Sequence, residues 1–358
     1  PSSLTVSLTD ELALPIELNY NNELKAAINL NTKERKINSG HVLIGMGEAR
    51  RTRVPGIKLE INRNQLPLQE WLGMAVTQHQ ANEAGVDISE IKIHSTSALW
   101  RKTRLGSFDL ALKRSPGSWA GEIDSTVAKG KFQLPIDLQG ANPISLDMAM
   151  LNLSALKQLS FQGTTTNPGL KPLLNIHSKK TLWQSENLGE LALETVRTSQ
   201  GMVIKRLDLD SENERLAMTG DWKDNSVTST THLVGRLDMK RADQFFDKLH
   251  ITKDLTDTSG VIDFKLNWNA SPWQMSLPGL RGDMDVNLKS GRILSIEPGF
   301  GRVLGILAVA QWIKRLQLDF SDIYAEGLTF NSIKGHFELL NGKATTSTGL
   351  VIDAVPAK

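Results

Sequence analysis

The sequence predicts a mainly β protein, built as a long curved antiparallel sheet with a few short helices. Apolar and polar residues alternate with a period of two in most segments, most clearly over 262–268, which is typical of strands with one apolar face. Turn-forming pairs such as Asn21-Asn22 and Asn341-Gly342 separate these segments. The connections look too short for parallel crossovers, so neighbouring strands should be antiparallel.

Strand candidates follow one another along the whole chain. Their approximate ranges are 16–20, 24–30, 57–61, 86–94, 105–113, 118–127, 132–138, 188–196, 203–209, 216–222, 228–237, 262–268, 284–288, 333–339 and 345–352. Twisted sheets of more than about ten strands curl or split. We therefore expect the sheet to be curved.

Helical periodicity is confined to three segments, 68–80, 240–249 and 299–316. The third, a terminal helix, carries a wide apolar stripe formed by Val303, Ile306, Leu307, Ala310 and Ile313. Such a stripe is compatible with closing the end of a groove, with docking to a membrane or partner, or with simple packing on a core.

A short pattern of apolar and polar residues begins at Leu66, Leu151, Leu237 and Leu318, in steps of 85, 86 and 81 residues. Each copy closes a run of strands, which suggests a repeated unit of several strands plus a short connecting element. We expect residues 1–160 to form β-groove repeat units and residues 161–358 a C-terminal β-groove region. The alternative is an ordinary β-rich protein whose strand–helix junctions look alike.

Strand alternation alone leaves two arrangements open. A closed sandwich would bury its apolar faces against each other, whereas an open curved sheet would leave them lining a hydrophobic groove. The small number of helices favours the groove, which could hold lipid tails without a specific motif. The predicted lining residues are Leu216, Met218, Trp222, Ile262, Phe264, Leu266, Trp268, Met284, Val286, Leu288, Phe337 and Leu339.

Composition argues against several classes of function. The chain has 358 residues and a formal net charge of +2, which does not suit a nucleic-acid binder with a large basic field. It contains no cysteine, its histidines lack metal-ligand spacing, and no nucleophile or acid–base motif is evident. We therefore expect no enzyme activity, no metal and no cofactor.

Several segments in the C-terminal part together resemble the AsmA-like proteins of Gram-negative bacteria, and the YhdP branch most closely. These segments are 187–191, 219–222, 266–272, 280–284, 291–299, 302–307, 318–323, 327–330 and 333–337. Residues 1–160 share only the general style of that family.

The resemblance implies a function that composition does not show. AsmA-like proteins are related to bridge-like lipid transfer proteins, have an inner-membrane anchor and a periplasmic β-groove, and are implicated in phospholipid transport that supports the outer-membrane barrier. It implies a non-enzymatic conduit in the periplasm, anchored in the inner membrane by segments outside this sequence. Its partners would be phospholipids and, at the C-terminal end, the outer membrane or an envelope protein. The competing hypothesis is a closed β-sandwich module that binds an envelope protein during assembly.

Overall fold

The structure, a computed structural model, describes residues 2–6, 13–34, 36–68, 70, 87–100, 103–158, 171–184, 186–224, 228–248, 252–294, 327–346 and 349–355. The fold is mainly β with few helices, which confirms the predicted fold class. The chain divides into two compact units: residues 1–162 with 176–186, and residues 163–175 with 187–358.

The described residues contain twenty-one strands and two short α-helices. The strands are β1 (Ser3–Val6), β2 (Ala13–Tyr20), β3 (Leu24–Asn31), β4 (Lys36–Gly45), β5 (Gly56–Pro67), β6 (Ile88–Trp100), β7 (Thr103–Ser115), β8 (Ser118–Ser125), β9 (Ala128–Pro135), β10 (Ile144–Asn152), β11 (Leu174–Trp183), β12 (Glu186–Thr198), β13 (Gly201–Asp210), β14 (Glu214–Asp224), β15 (Ser229–Met239), β16 (Leu255–Thr256), β17 (Ser259–Trp268), β18 (Arg281–Ile293), β19 (Leu328–Leu340), β20 (Lys343–Thr345) and β21 (Leu350–Ala354). The helices are α1 (Leu153–Gln158) and α2 (Ala242–Lys248).

In the first unit, strands β1 to β10 pair in chain order, each with the next. All of these pairs are antiparallel except β4 with β5 and β5 with β6, which are parallel. The sheet is therefore mixed, and the expectation of purely antiparallel pairing fails at these two places. The connections there, 46–55 and 68–87, are among the longer ones in the chain. Each is long enough for the chain to return to the end of the sheet at which the preceding strand began.

The connection 46–55 crosses one face of the sheet and is tied to it by hydrogen bonds. Asn29 Nδ2 and Ser39 Oγ both donate to the Thr52 carbonyl oxygen, at 3.0 and 2.7 Å. The Arg50 amide donates to His41 Nδ1 at 3.0 Å. Beneath this connection, Ser39, His41 and Leu43 are buried. The connection covers these residues on the polar side of β4 and therefore forms a local layer over the sheet.

In the second unit, β12, β13, β14, β15, β17, β18 and β19 follow one another as antiparallel neighbours. The short β16 pairs with β18, and β20 and β21 both pair with β19. A hydrophobic cluster forms where α2 meets the sheet, and its buried members include Met239, Ala242, Leu288, Phe330 and Phe337.

The three helices predicted from the sequence have different outcomes. The predicted helix at 240–249 is confirmed as α2. The predicted helices at 68–80 and 299–316 lie outside the described residues, except for the first residues of the former. Within the described part of the chain, no helix has the length and hydropathy to span a membrane.

The first three copies of the repeated pattern coincide with strand ends. They lie where β5, β10 and β15 finish. Helix α1 begins directly after β10, and α2 begins shortly after β15. The fourth copy, at Leu318, lies outside the described residues. The division into repeat units remains a prediction.

Helix α2 is fixed at its start by a buried carboxylate. Arg241 Nε and Nη2 donate to the two carboxylate oxygens of Asp243, at 3.1 and 2.8 Å, and the Asp257 amide donates to Asp243 Oδ2 at 3.3 Å. The hydrogen bonds from Arg241 hold the pKa of Asp243 below its usual value of 3.8, against the opposing effect of burial. The carboxylate therefore joins the helix start to the turn before β17.

We expect Asp243→Asn to lower the free energy of unfolding at neutral pH by about 2 kcal/mol, because the buried pair with Arg241 loses its negative charge and one of its two acceptor oxygens. Since the folded-state pKa of Asp243 is depressed, its contribution is present above the unfolded value of 3.8 and is lost as pH falls through the folded value. Urea unfolding of wild type and variant at several pH values should show the difference shrinking below about pH 4.

Asp247→Asn is the matched control, since Asp247 lies on the same helix but is exposed. Its one ion pair, with Lys253 Nζ at 3.8 Å, is long and solvent-exposed. It should change stability by less than about 0.5 kcal/mol. Equal losses in the two variants would contradict the role assigned to Asp243.

Candidate functional site

Strand register in the second unit places the apolar residues on one face of the sheet. Residues directly opposite each other on paired strands point to the same side. Three neighbouring rows of such partners cross the sheet. They are Leu216, Leu237, Ile262 and Val286; Met218, Gly235, Phe264, Met284 and Phe337; and Gly220, Leu233, Leu266, Gly282 and Leu339.

Two further rows extend this apolar face towards the strand ends. Trp222, Thr231 and Trp268 form the row at one end, and Met239, Gly260, Leu288 and Ile333 form the row at the other. All twelve residues predicted to line a groove therefore lie on a single face of the second unit. Their contact with a lipid remains a prediction.

The two ends of the apolar face are packed. Trp222 and Trp268 are buried, and their indole nitrogens donate to Ser229 Oγ at 2.8 Å and to the Ser271 carbonyl oxygen at 2.9 Å. At the opposite end, Leu288 and the other buried members of the α2 cluster are covered. These contacts give the face a fixed boundary at both strand ends.

The middle of the apolar face is different because its side chains, apart from the buried Phe337, are only partly buried. Ile262, Phe264, Leu266, Met284 and Val286 all keep part of their surface accessible to solvent. In a closed sandwich, residues at the centre of the inner face would be fully buried. The face therefore presents a continuous apolar surface that a nonpolar ligand could cover.

Glycines on this face make room for large neighbours. A Cβ added to Gly235 would lie 2.5 Å from Phe264 Cζ and 2.7 Å from Met218 Cβ, so the Phe264 ring covers the place where a side chain would stand. A Cβ on Gly335 would similarly lie 2.8 Å from Phe337 Cζ. The aromatic rings cover the positions where these two glycines have no side chain, so the surface stays apolar there.

The opposite face of the second unit is charged. Arg236 on β15 contacts Asp238 and Asp263, with Nη1 3.0 Å from Asp263 Oδ2. His336 Nδ1 on β19 lies 2.8 Å from Asp285 Oδ1 on β18, and this hydrogen bond raises the pKa of His336 above its usual 6.5. The two faces therefore differ sharply in polarity, and water is the natural environment of the charged one.

The first unit contains a similar apolar row that the list of predicted lining residues missed. Ile61, Ile93, Leu110 and Ile123 are register partners on β5 to β8. These four residues also line an open cavity of about 530 Å³, together with seven charged residues from the flanking rows. The alternation at 57–61 carries the same signal, but it lies outside the segments that resemble the family.

The remaining predicted residues cannot be placed. Val303, Ile306, Leu307, Ala310 and Ile313 of the expected terminal helix lie outside the described residues. Among the residues that the structure describes, no group of three or more histidine, aspartate or glutamate side chains is arranged to hold a metal ion.

These features define a class of protein: a mainly β chain whose paired strands present one continuous, partly open apolar face and one charged face. The chain matches the family model described as YhdP protein over residues 1–358, so it belongs to the YhdP family. It is also 30% identical over 144 residues to the intermembrane phospholipid transporter YhdP of Escherichia coli (strain K12). That match covers 40% of this chain and 11% of the relative. No solved structure matches the chain.

We expect Gly235→Val to lower the free energy of unfolding by about 1–3 kcal/mol, because the new side chain overlaps the Phe264 ring and Met218. Adding Phe264→Ala should recover part of that loss, since it removes the overlapping ring. Urea unfolding of the two single variants and the double variant measures the coupling.

Ala217→Val adds similar volume to the exposed charged face and should stay within about 0.5 kcal/mol of wild type. Strict additivity at Gly235 and Phe264 would contradict the proposed packing.

We expect an NMR titration to place the pKa of the His336 imidazole above 6.5, and Asp285→Asn to bring it back towards that value. Because the folded-state pKa is raised, the pair contributes fully below the unfolded value, and the contribution is lost as pH rises through the folded value. Asp263→Asn is the control, since Asp263 is on the same face but contacts Arg236. A His336 titration that Asp285→Asn leaves unchanged would refute the assignment.

Proposed function

We propose that this chain is a segment of an intermembrane phospholipid transporter in the periplasm of a Gram-negative bacterium. In this proposal the apolar face of the second unit is part of a hydrophobic groove that carries acyl chains, and no residue of the chain performs covalent chemistry. Membership of the YhdP family and the likeness to a phospholipid transporter support the substrate class.

The observation that carries this proposal is the continuity of the three central apolar rows across β14, β15, β17, β18 and β19. An acyl chain laid along such rows would cross several strands while touching apolar side chains throughout. Each methylene that it removes from water contributes roughly 0.8 kcal/mol. Binding of this kind depends on the buried apolar area and not on a specific motif, which suits a lipid that must also be released.

The charged face supports the same arrangement. Asp263 and Asp285 alternate with Ile262, Phe264 and Val286 along their strands, so each carboxylate lies on the other side of the sheet. Moving such a charge into an apolar environment is costly. The sheet can therefore contact lipid tails on one side while its other side stays hydrated.

The position of the chain within the envelope is part of the proposal. The full-length protein would be anchored in the inner membrane and would support the outer-membrane barrier. The segment at 299–316 would contact the outer membrane or an envelope protein at the C-terminal end of the chain.

Photo-crosslinking tests the groove directly. A photoreactive amino acid would replace Phe264 or Val286 on the apolar face, or Asp263 or Asp285 on the charged face, in the full-length protein in bacterial cells. Because register places the two sets on opposite sides of the sheet, we expect phospholipid adducts at positions 264 and 286 and few at 263 and 285. Mass spectrometry of the purified adducts identifies the lipid.

The four positions are matched, since they are neighbours on the same two strands. Equal labelling at all four positions, or no lipid adduct at 264 and 286, would exclude the groove. Protein adducts at 264 and 286 in place of lipid would instead favour an assembly module that binds an envelope protein.

A further inference from the structure

Residues 46–55, the connection between β4 and β5, lie over the polar side of the first unit, and we call them the strap. Side chains of the sheet hold both of its ends. These contacts, at 2.7 to 3.0 Å, join Asn62 to the Met46 carbonyl oxygen, Lys25 to the Gly47 carbonyl oxygen, Glu17 to Arg51, and Asn29 and Ser39 to the Thr52 carbonyl oxygen. The contact at Arg50 differs from these, because its partner on the sheet is the imidazole of His41.

This contact fixes the tautomer of His41. The Arg50 amide donates to His41 Nδ1 at 3.0 Å. A backbone amide can only donate, so Nδ1 is the unprotonated nitrogen and the neutral ring carries its hydrogen on Nε2. Nε2 lies 3.3 Å from Glu60 Oε2. A second proton therefore has to bind at Nδ1, on the side of the ring that faces the Arg50 amide.

Protonation of His41 is incompatible with the closed strap. An imidazolium ring has hydrogen on both nitrogens and accepts no hydrogen bond, so the Arg50 amide would lose its acceptor and face another donor. Histidine is also the side chain whose charge ordinarily changes between about pH 5 and 8. The closed state of the strap is thereby linked to the protonation of one side chain.

The surroundings of His41 favour its neutral form. The residue is only 5% exposed beneath the strap. Burial lowers the pKa of His41 below its usual value of 6.5, and the charge of Lys58 lowers it further, whereas Glu60 and Glu90 oppose the shift. Closing the strap and removing the second proton from His41 therefore favour each other.

Charges of both signs surround His41 on the neighbouring strands and on the strap. Glu17 on β2, Lys58 on β5 and Glu90 on β6 lie in the same cross-strand row as His41. The adjacent row and the strap contribute Lys25 on β3, Glu60 on β5, Lys92 on β6, and Glu48, Arg50, Arg51 and Arg53 on the strap. Because these charges are mixed, burial and the Arg50 hydrogen bond dominate the protonation of the ring.

We propose that the strap is an acid-sensitive cover on the first unit: protonation of His41 releases Arg50 and opens the middle of the strap. Opening uncovers Ser39, His41 and Leu43, which are buried in the closed form. Return to neutral pH restores the Arg50 hydrogen bond and closes the strap. This device goes beyond the proposed function, because it does not use the apolar face of the second unit, and either can fail without the other.

Hydrogen exchange of single amides in the 358-residue chain, followed by NMR and corrected for intrinsic rates, tests the strap. An exposed His41 has a pKa near 6.5, and the closed strap lowers it. The closed form is therefore fully favoured above that value and loses stability as pH falls below it. We expect the protection of the Arg50 amide to fall about fivefold or more from about pH 7.5 to about pH 5.5.

The Met46 amide is the internal control, since it donates to the Asn62 carbonyl oxygen at 2.8 Å and that bond contains no titrating group. Its protection should change less than about twofold over the same range. A direct NMR titration of His41 in the wild-type chain should give a pKa below 6.5, with the hydrogen of the neutral ring on Nε2.

Two variants separate the titration from the packing. His41→Asn keeps an acceptor, because its side-chain oxygen can take the place of Nδ1, but it does not titrate. Its Arg50 amide should be equally protected at both pH values. His94→Asn is the matched control, since His94 is an exposed histidine on β6 that pairs with Asp109. This variant should keep the wild-type loss of protection.

The proposal is overturned if Arg50 protection in the wild type stays constant with pH, or if it falls equally in His41→Asn. Equal losses at Arg50 and Met46 would also exclude it, since the whole unit would then open and not the strap alone. Phospholipid adducts at position 264 report on the groove only. Constant Arg50 protection together with such adducts would exclude the strap and leave the proposed function standing, and the reverse combination would do the opposite.

Discussion

The rest of the structure depends on strand register in the second unit. In the three central rows of β14 to β19, apolar residues stand opposite apolar residues or glycines. A slip of one residue in β17 would bring Asp263 and Lys265 onto the apolar face, so the alternating pattern itself specifies the pairing. Where the alternation is interrupted, a shift in register restores it. The apolar residues of β13 are three apart between Ile204 and Leu207, and a register shift at that place returns both to the same face.

The sequence was sufficient to predict most of the strands, helix α2 and the face on which each predicted lining residue lies, because alternation and helical periodicity are local signals. Strands β1, β4, β10, β11 and β16 were not among the predicted ones. The parallel pairs of β5 were not predictable in the same way. Whether β5 lies antiparallel or parallel to β4 depends on the path of residues 46–55, and that path is fixed by contacts of Thr52 and Arg50 with residues distant in sequence. The apolar row of the first unit has an equally local signal, the alternation that ends at Ile61, but it lies in the part of the chain that shares only general features with the family.

An open apolar face reduces stability unless other parts of the sheet hold it in shape. In the second unit this support lies at the strand ends. At one end Trp222 and Trp268 are buried and hydrogen-bonded, and at the other α2 packs on Met239 and Leu288. Between them the glycines at 235 and 335 let aromatic rings lie flat against the sheet. The partly exposed centre is thus framed by packed ends, an arrangement that fixes the backbone while leaving apolar side chains accessible.

The two faces of the second unit divide the sheet in the way that a phospholipid itself is divided. The central rows contain no charged residue, and apart from the buried Phe337 their side chains are only partly buried, so they suit the acyl part of a lipid, which needs area and no charge. On the opposite face Asp263 pairs with Arg236 and Asp285 with His336, and water is the natural environment of such pairs. A lipid tail held on one side of the sheet therefore leaves the other side hydrated.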